Sequence, residues 1–204
     1  MLMLMPPYHG TTLRADEQGI REHFARIAEA VTIPIMVQDA PLSGVALSVN
    51  LLTRMAKELP QVSYFKIEMP GAAGKLRALI AAGGETIHGP FDGEEAITLM
   101  ADLDAGATGT MPSAMLPDLI KPVLEHHRAG RREEAVTQYG RILPLINYEN
   151  RQCGLRATKA AMLEGGVIKS DTIRHPLPPL PPEARKGLLV LASPLNPLVL
   201  RWGR

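Results

Sequence analysis

The chain has 204 residues, of which 46% are hydrophobic and 4% aromatic, and its formal net charge is +1. That length fits one large domain or two small ones with a real core. The near-neutral charge and the few aromatic rings exclude a nucleic-acid or anionic-membrane surface built on a basic field or on base stacking.

Cys153 is the only cysteine, so no intrachain disulfide is possible, which fits a reducing cytoplasm. The apolar start, Met1 to Met5, is too short for a signal peptide or for the roughly twenty apolar residues of a membrane span. It reads as a strand buried on both faces, as in a parallel sheet. Pro6-Pro7-Tyr8-His9-Gly10 ends it. Asp16 to Val31 follows as a helix, with Ile20, Phe24, Ile27, Ala28 and Val31 at the spacing of one buried face. Ile33 to Val37 is the next strand, ending at Gln38-Asp39-Ala40-Pro41. Ser48 caps a helix to Leu59, with Leu51, Leu52 and Met55 inward.

Val62 to Met69 reads as the third strand, stopped by Pro70-Gly71. A helix to Ala82 closes at Gly83-Gly84, and Glu85 to Gly89 is a short strand. Asp92 is placed to cap a helix to Leu103, with Glu94 and Glu95 in its first turn. Gly106 to Met111 is a fifth strand, and Ser113 or Pro117 opens a helix to His127. From there the strand pattern stops. Arg131 to Asn147, Arg151 to Glu164 and Pro182 to Ala192 read as helices, with the proline-rich 176–182 as a stiff surface connector.

Strands and helices alternating at roughly 25–30 residues per unit imply βαβ units and a parallel sheet. A dinucleotide-binding fold would carry a glycine-rich fingerprint after its first strand, and Pro6-Pro7-Tyr8-His9-Gly10 is not one. A TIM barrel instead puts functional residues at the C-terminal ends of several strands. Tyr8-His9, Gln38-Asp39, Lys66-Glu68, His88-Gly89 and Thr110 all fall at such ends in this reading. The expectation is an α/β chain of (β/α)8 TIM-barrel type: a partial barrel over 1–128 and a helical subdomain over 129–204.

Alternation puts Val62, Tyr64, Lys66 and Glu68 on one face of the third strand and Ser63, Phe65, Ile67 and Met69 on the other. A lysine near a strand end with a carboxylate two residues on has two readings: a structural ion pair, or a desolvated amine that attacks a carbonyl to form a Schiff base. No His-Glu-x-x-His or Cys-x-x-Cys spacing points to a metal. His88 reads as a side chain packed beside Gly89, His126 and His127 as groups suited to a helix C-terminus, and Cys153 as a buried or half-buried helix residue.

Tyr64-Phe65-Lys66, Gly89 and Gly106-Ala107-Thr108-Gly109, in this order and spacing, resemble the dihydrodipicolinate synthase/N-acetylneuraminate lyase family. The likeness runs over essentially the whole chain from what would be the family's fourth strand, so the barrel is expected to hold about strands four to eight. These class I lyases are TIM barrels with a C-terminal helical bundle, usually tetramers, that hold a 2-keto acid as a Schiff base without metal or cofactor. The resemblance implies that Lys66 is the Schiff-base lysine and that Gly89 faces the substrate carboxylate. Gln38, Glu68, Tyr8 and His9 would line the pocket. Gln38 stands where the family usually has a proton-relaying tyrosine, Leu42-Ser43-Gly44 lacks the arginine of dihydrodipicolinate synthases, and no Thr-Thr strand matches, since Thr11-Thr12 lies in a loop.

With Pro6-Pro7-Tyr8-His9-Gly10, Val37-Gln38-Asp39-Ala40-Pro41 and Phe65-Lys66-Ile67-Glu68-Met69-Pro70-Gly71, the chain looks like the branch that includes 2-keto-3-deoxy-L-arabonate dehydratases. The implied function is a Schiff-base dehydratase of a 2-keto-3-deoxy sugar acid, cytoplasmic and homo-oligomeric. The alternatives are a pyruvate-dependent aldolase or dihydrodipicolinate synthase-like carbon–carbon lyase, or a non-catalytic truncated barrel that serves only in assembly. The missing early strands imply a piece of a longer frame or a barrel completed by another chain.

Overall fold

The structure is a computed structural model that describes residues 1–8, 10, 13–40 and 44–204. It divides into two compact units, Met1–Met111 and Pro112–Arg204.

The first unit alternates β1 (Leu2–Leu4), α1 (Glu17–Ala30), β2 (Ile35–Asp39), α2 (Val49–Glu58), β3 (Val62–Ile67), α3 (Ala72–Gly83), β4 (His88–Asp92), α4 (Leu99–Asp104) and β5 (Gly109–Thr110). All four strand pairings are parallel, and the sheet order is β1-β2-β3-β4-β5. An order that follows the chain without reversing is that of a barrel wall; a doubly wound sheet reverses at a switch point. The helices start where local chemistry dictates. The Asp16 carboxylate accepts from the Gly19 amide at 2.8 Å at the start of α1. Ser48 Oγ accepts from the Leu51 amide at 3.0 Å at the start of α2 and donates to Glu17 at 2.6 Å, tying the two helices together. Ile20, Phe24 and Ala28 of α1 and Leu51, Leu52 and Met55 of α2 are buried, as their periodicity requires.

Three elements differ from expectation. The strand at the N-terminus is not buried on both faces: β1 pairs with β2 alone, and Met1, Met3 and Met5 are 57%, 47% and 41% exposed. Its apolar run reflects an edge position that lacks a covering neighbour among the described residues. The fourth strand starts three residues later than expected, at His88, and runs through Pro90 to Asp92. A proline inside a strand reads as a breaker because it lacks a donor. Here a register irregularity between Tyr64 and Phe65 skips Gly89, and Pro90 serves as an acceptor for the Thr108 amide at 2.9 Å. Asp92 therefore caps no helix. It is the last residue of β4, and α4 begins only at Leu99, after turns in which Glu95 and Ala96 have φ of 51° and 65°.

In the second unit α5 (Pro117–Arg128) packs on α6 (Arg132–Tyr148). That packing draws α5 into the helical unit, so the compact units divide after Met111 where the sequence reading divides at 128. One π-helical turn, Glu149–Cys153, leads through Gly154 towards α7 (Arg156–Glu164), and α8 (Pro182–Ala192) packs on α6 and α7. Cys153 is fully buried, and burial pushes its thiol up. The connector before α8 is largely exposed and has no regular secondary structure. Among the described residues no helix is long and apolar enough to cross a membrane.

Gly165, buried at the end of α7, has no room for a side chain: a Cβ there would lie 1.9 Å from the Val199 carbonyl oxygen and 2.8 Å from the Leu200 backbone. Gly165→Ala is expected to displace that C-terminal turn and cost about 1–3 kcal/mol in urea unfolding. Gly140→Ala, in α6 with open space around the new methyl group, is expected to gain up to about 1 kcal/mol.

Candidate active site

The side chains that could carry chemistry gather at the C-terminal ends of β2, β3 and β4, where a parallel barrel wall presents them. Register decides who meets whom. Gln38 lies opposite Lys66, and Lys66 opposite Phe91. Across parallel strands such partners share a face. Glu68, two residues beyond Lys66, returns to that face, and its amide extends the ladder by donating to the Asp39 carbonyl at 2.8 Å. The outcome is a compact triad. Lys66 Nζ stands 3.0 Å from Glu68 Oε2, and Gln38 Nε2 donates to the same oxygen at 2.8 Å. Lys66 is 7% exposed. A carboxylate so held can fix the amine's position and accept a proton from it.

The next row in register, Asp39, Ile67, Asp92 and Thr110, takes the opposite face, towards α3 and α4. Asp39 meets Lys75 of α3: the ammonium is 2.5 Å from Asp39 Oδ2, an ion contact outside hydrogen-bond geometry, and it also donates to the Leu47 carbonyl. Asp92 meets Asp102 of α4, and both are fully buried. Thr110 Oγ1 donates to Asp92 at 2.5 Å and Thr98 Oγ1 to Asp102 at 2.7 Å. Burial first, and then the Asp102 carboxyl, push the Asp92 carboxyl from 3.8 up to about 8, against the Thr110 hydroxyl and the Ala96 amide, which favour its charged form.

Of the residues expected from sequence, the structure brings together Lys66, Glu68 and Gln38. Gly89 is at the opposite, N-terminal end of β4, where a Cβ would strike the Phe91 ring at 2.9 Å. The glycine that does lie against the triad is Gly93: a Cβ there would be 2.8 Å from Glu68 Cβ and 3.0 Å from Lys66 Cγ. Tyr8 is 60% exposed, and a Cβ at Gly44 would lie 3.9 Å from its ring. His9 lies outside the described residues, as do Thr11, Thr12, Pro41, Leu42 and Ser43. His88 is exposed at the start of β4, edge-on to Tyr64 with ring centroids 5.8 Å apart. Among the described residues no three His, Cys, Asp or Glu side chains gather as a metal site. Sequence reasoning missed Lys75, Asp102 and Gly93. The only available signal was an aspartate at the end of each of two strands, with a glycine directly after the second.

The model of the dihydrodipicolinate synthetase family matches residues 1–193. The chain belongs to that family. Among curated members it is 59% identical over 202 residues to L-2-keto-3-deoxyarabonate dehydratase of Azospirillum brasilense, covering 99% of this chain and 65% of that protein. It is 28% identical over 193 residues to 4-hydroxy-tetrahydrodipicolinate synthase 2 of Streptomyces coelicolor, covering 93% of this chain and 61% of that protein. Among solved structures, the chloride-inhibited dihydrodipicolinate synthase of Acinetobacter baumannii complexed with pyruvate superposes with a TM-score of 0.82 at 27% identity, over 94% of this chain and 64% of that one. The chain thus spans about 65% of the length of the first of these family members, which agrees with a parallel sheet of five strands in a fold that closes with eight.

The buried Asp92 makes stability depend on pH. Its folded-state value lies above its ordinary one, so the native state holds a proton that the unfolded chain releases as pH rises from 3.8 to about 8. Stability from this group is full below that window and falls through it. Asp92→Asn is expected to flatten the decline, read as melting temperature from pH 5 to pH 9.

Proposed function

We propose that the chain carries the Schiff-base half of a lyase that dehydrates a 2-keto-3-deoxy sugar acid such as L-2-keto-3-deoxyarabonate. The observation that carries this reading is the 59% identity, along 99% of the chain, to a dehydratase of that substrate. The triad supplies its chemistry. Lys66 Nζ, having given a proton to Glu68, attacks the ketone carbon; loss of water from the adduct leaves an iminium bonded to Lys66. The cationic nitrogen draws electrons from the neighbouring carbon. A proton leaves that carbon, and the β-hydroxyl departs as water. Hydrolysis then frees the lysine. Gln38 holds Glu68 in place and keeps one amide oxygen for a substrate hydroxyl. Tyr8 and His9 belong to the same proposal as substrate-binding residues. The reaction needs no metal or cofactor, and the protein acts as a cytoplasmic homo-oligomer.

A second reading is favoured by the coverage of about 65%: the chain acts only as an assembly subunit and catalyses nothing by itself. A third, pyruvate-dependent carbon–carbon cleavage or condensation, is supported by the synthase relatives.

Borohydride reduction in the presence of L-2-keto-3-deoxyarabonate or pyruvate, followed by peptide mass spectrometry, separates these readings. The dehydratase reading expects a substrate-derived adduct on Lys66, abolished in Lys66→Ala, and loss of water without release of pyruvate. Pyruvate release supports the carbon–carbon lyase. A folded protein with no adduct supports the assembly role. Gln38→Ala removes a hydrogen bond to a charged group and is expected to slow adduct formation about tenfold, while Lys66 is still the residue modified.

A further inference from the structure

Asp39 and Lys75 form a buried ion pair that the proposed chemistry does not use. Their side chains are 4% and 12% exposed, and the ammonium stands 2.5 Å from Asp39 Oδ2. A buried carboxylate and a buried ammonium are each costly alone, so each holds the other in place. Lys75 is also close to the N-terminus of α3, which starts at Ala72 with Gly71 before it and has no acidic residue in its first turn. A cation there meets the unfavourable end of the helix dipole. Asp39, from the end of β2, is the anion that offsets it. The same ammonium donates to the carbonyl of Leu47, the residue before the α2 cap Ser48, so it holds both sides of the connection from β2 to α2.

The pair bears on the triad through the backbone. Asp39 directly follows Gln38 and takes the opposite face, and its carbonyl accepts from the Glu68 amide at 2.8 Å. Asp39 therefore clasps the stretch from Glu68 to Lys75 at both ends. It holds the amide of the first on its carbonyl and the ammonium of the last on its carboxylate. Packing does less to fix that stretch: Met69 is half-buried and Pro70 exposed, and both border a cavity of about 310 Å³ shared with Ala40 and Val45. Gly71 turns the chain into α3 at φ 79° with no side-chain cap. Opening one end of a clasped loop restores its conformational freedom. Freedom at Glu68 is freedom at the oxygen on which Lys66 and Gln38 converge.

We propose that Lys75 is a positioning residue for the triad: paired with Asp39, it closes the clasp that keeps Glu68 against Gln38 and the Lys66 amine. It acts from the face opposite the triad, through the Asp39 backbone. The proposal rests on the Schiff-base reading for its catalytic meaning, while the clasp is a matter of geometry and stands apart from that reading.

The test uses the 204-residue chain and its Lys75→Met variant, which keeps an unbranched stem and removes the charge, at a temperature where circular dichroism shows both folded. Borohydride traps pyruvate on Lys66, and the rate at saturating pyruvate is read by peptide mass spectrometry. Lys75→Met is expected to trap about tenfold more slowly. An anchor that serves stability alone would lower the melting temperature and leave the rate of the folded protein unchanged, and that result overturns the proposal. Hydrogen exchange is the second readout: the Glu68 amide is expected to exchange about tenfold faster in Lys75→Met, with the amides inside α1 unchanged. Should Lys75→Met not fold, its combination with Asp39→Asn leaves no buried charge unpaired and takes its place, with the same expectations. If the unsubstituted chain forms no adduct, the Schiff-base reading fails, and exchange of the Glu68 amide alone judges the clasp. A Glu68 amide that exchanges no faster, or only as much faster as those of α1, overturns it.

Discussion

One carboxylate oxygen organises this molecule's chemistry. Glu68 Oε2 receives the Gln38 amide and the Lys66 ammonium at once, and each of the three residues depends on a different feature of the fold. Gln38 is in place because β2 and β3 are parallel neighbours with Gln38 opposite Lys66. Lys66 is in place because strand alternation turns it to the face opposite the buried Phe65 and Ile67. Glu68 is in place because its amide keeps the ladder going for one more bond to Asp39. A shift of register by one residue would send Lys66 to the opposite face and dissolve the triad.

The face behind this row handles its own buried charges in two ways. Asp39 stays paired to Lys75, which ties the end of β2 to α3. Among the described residues no ion pair is seen at Asp92. Burial pushes its carboxyl up towards the neutral form, and the Thr110 hydroxyl donates to it. An isolated buried carboxylate would be costly in either place, and pairing or protonation are the two available remedies. The Asp39–Lys75 pair anchors a strand end to a helix on the face opposite the triad.

The sheet also has an edge that its composition does not suit. β1 is apolar, pairs with β2 alone among the described residues, and exposes Met3, with Met1 and Met5 exposed on either side of it. An uncovered apolar edge is a surface that invites pairing. Family membership rests on residues 1–193, whereas relatives of about one and a half times this length carry the named activities. Gln38, Lys66, Glu68 and the Asp39–Lys75 pair all lie within the first unit.

Much of the fold was legible in the residues themselves. Helix faces in α1 and α2, their caps at Asp16 and Ser48, the βα alternation, and the pairing of Lys66 with Glu68 across one intervening residue all follow from interactions a few positions apart, which spacing encodes directly. Tertiary structure alone decided the rest. It carried β4 through Pro90, drew Asp92 out of a cap and into the sheet, left the apolar β1 at an edge, and placed Gly93 rather than Gly89 beside Lys66. It also brought Lys75 to Asp39 and Asp102 to Asp92. The reason is physical: periodicity records which face a side chain takes, but the partner it meets there comes from a distant stretch of chain, and only the pairing of the strands and the packing of the helices bring the two together.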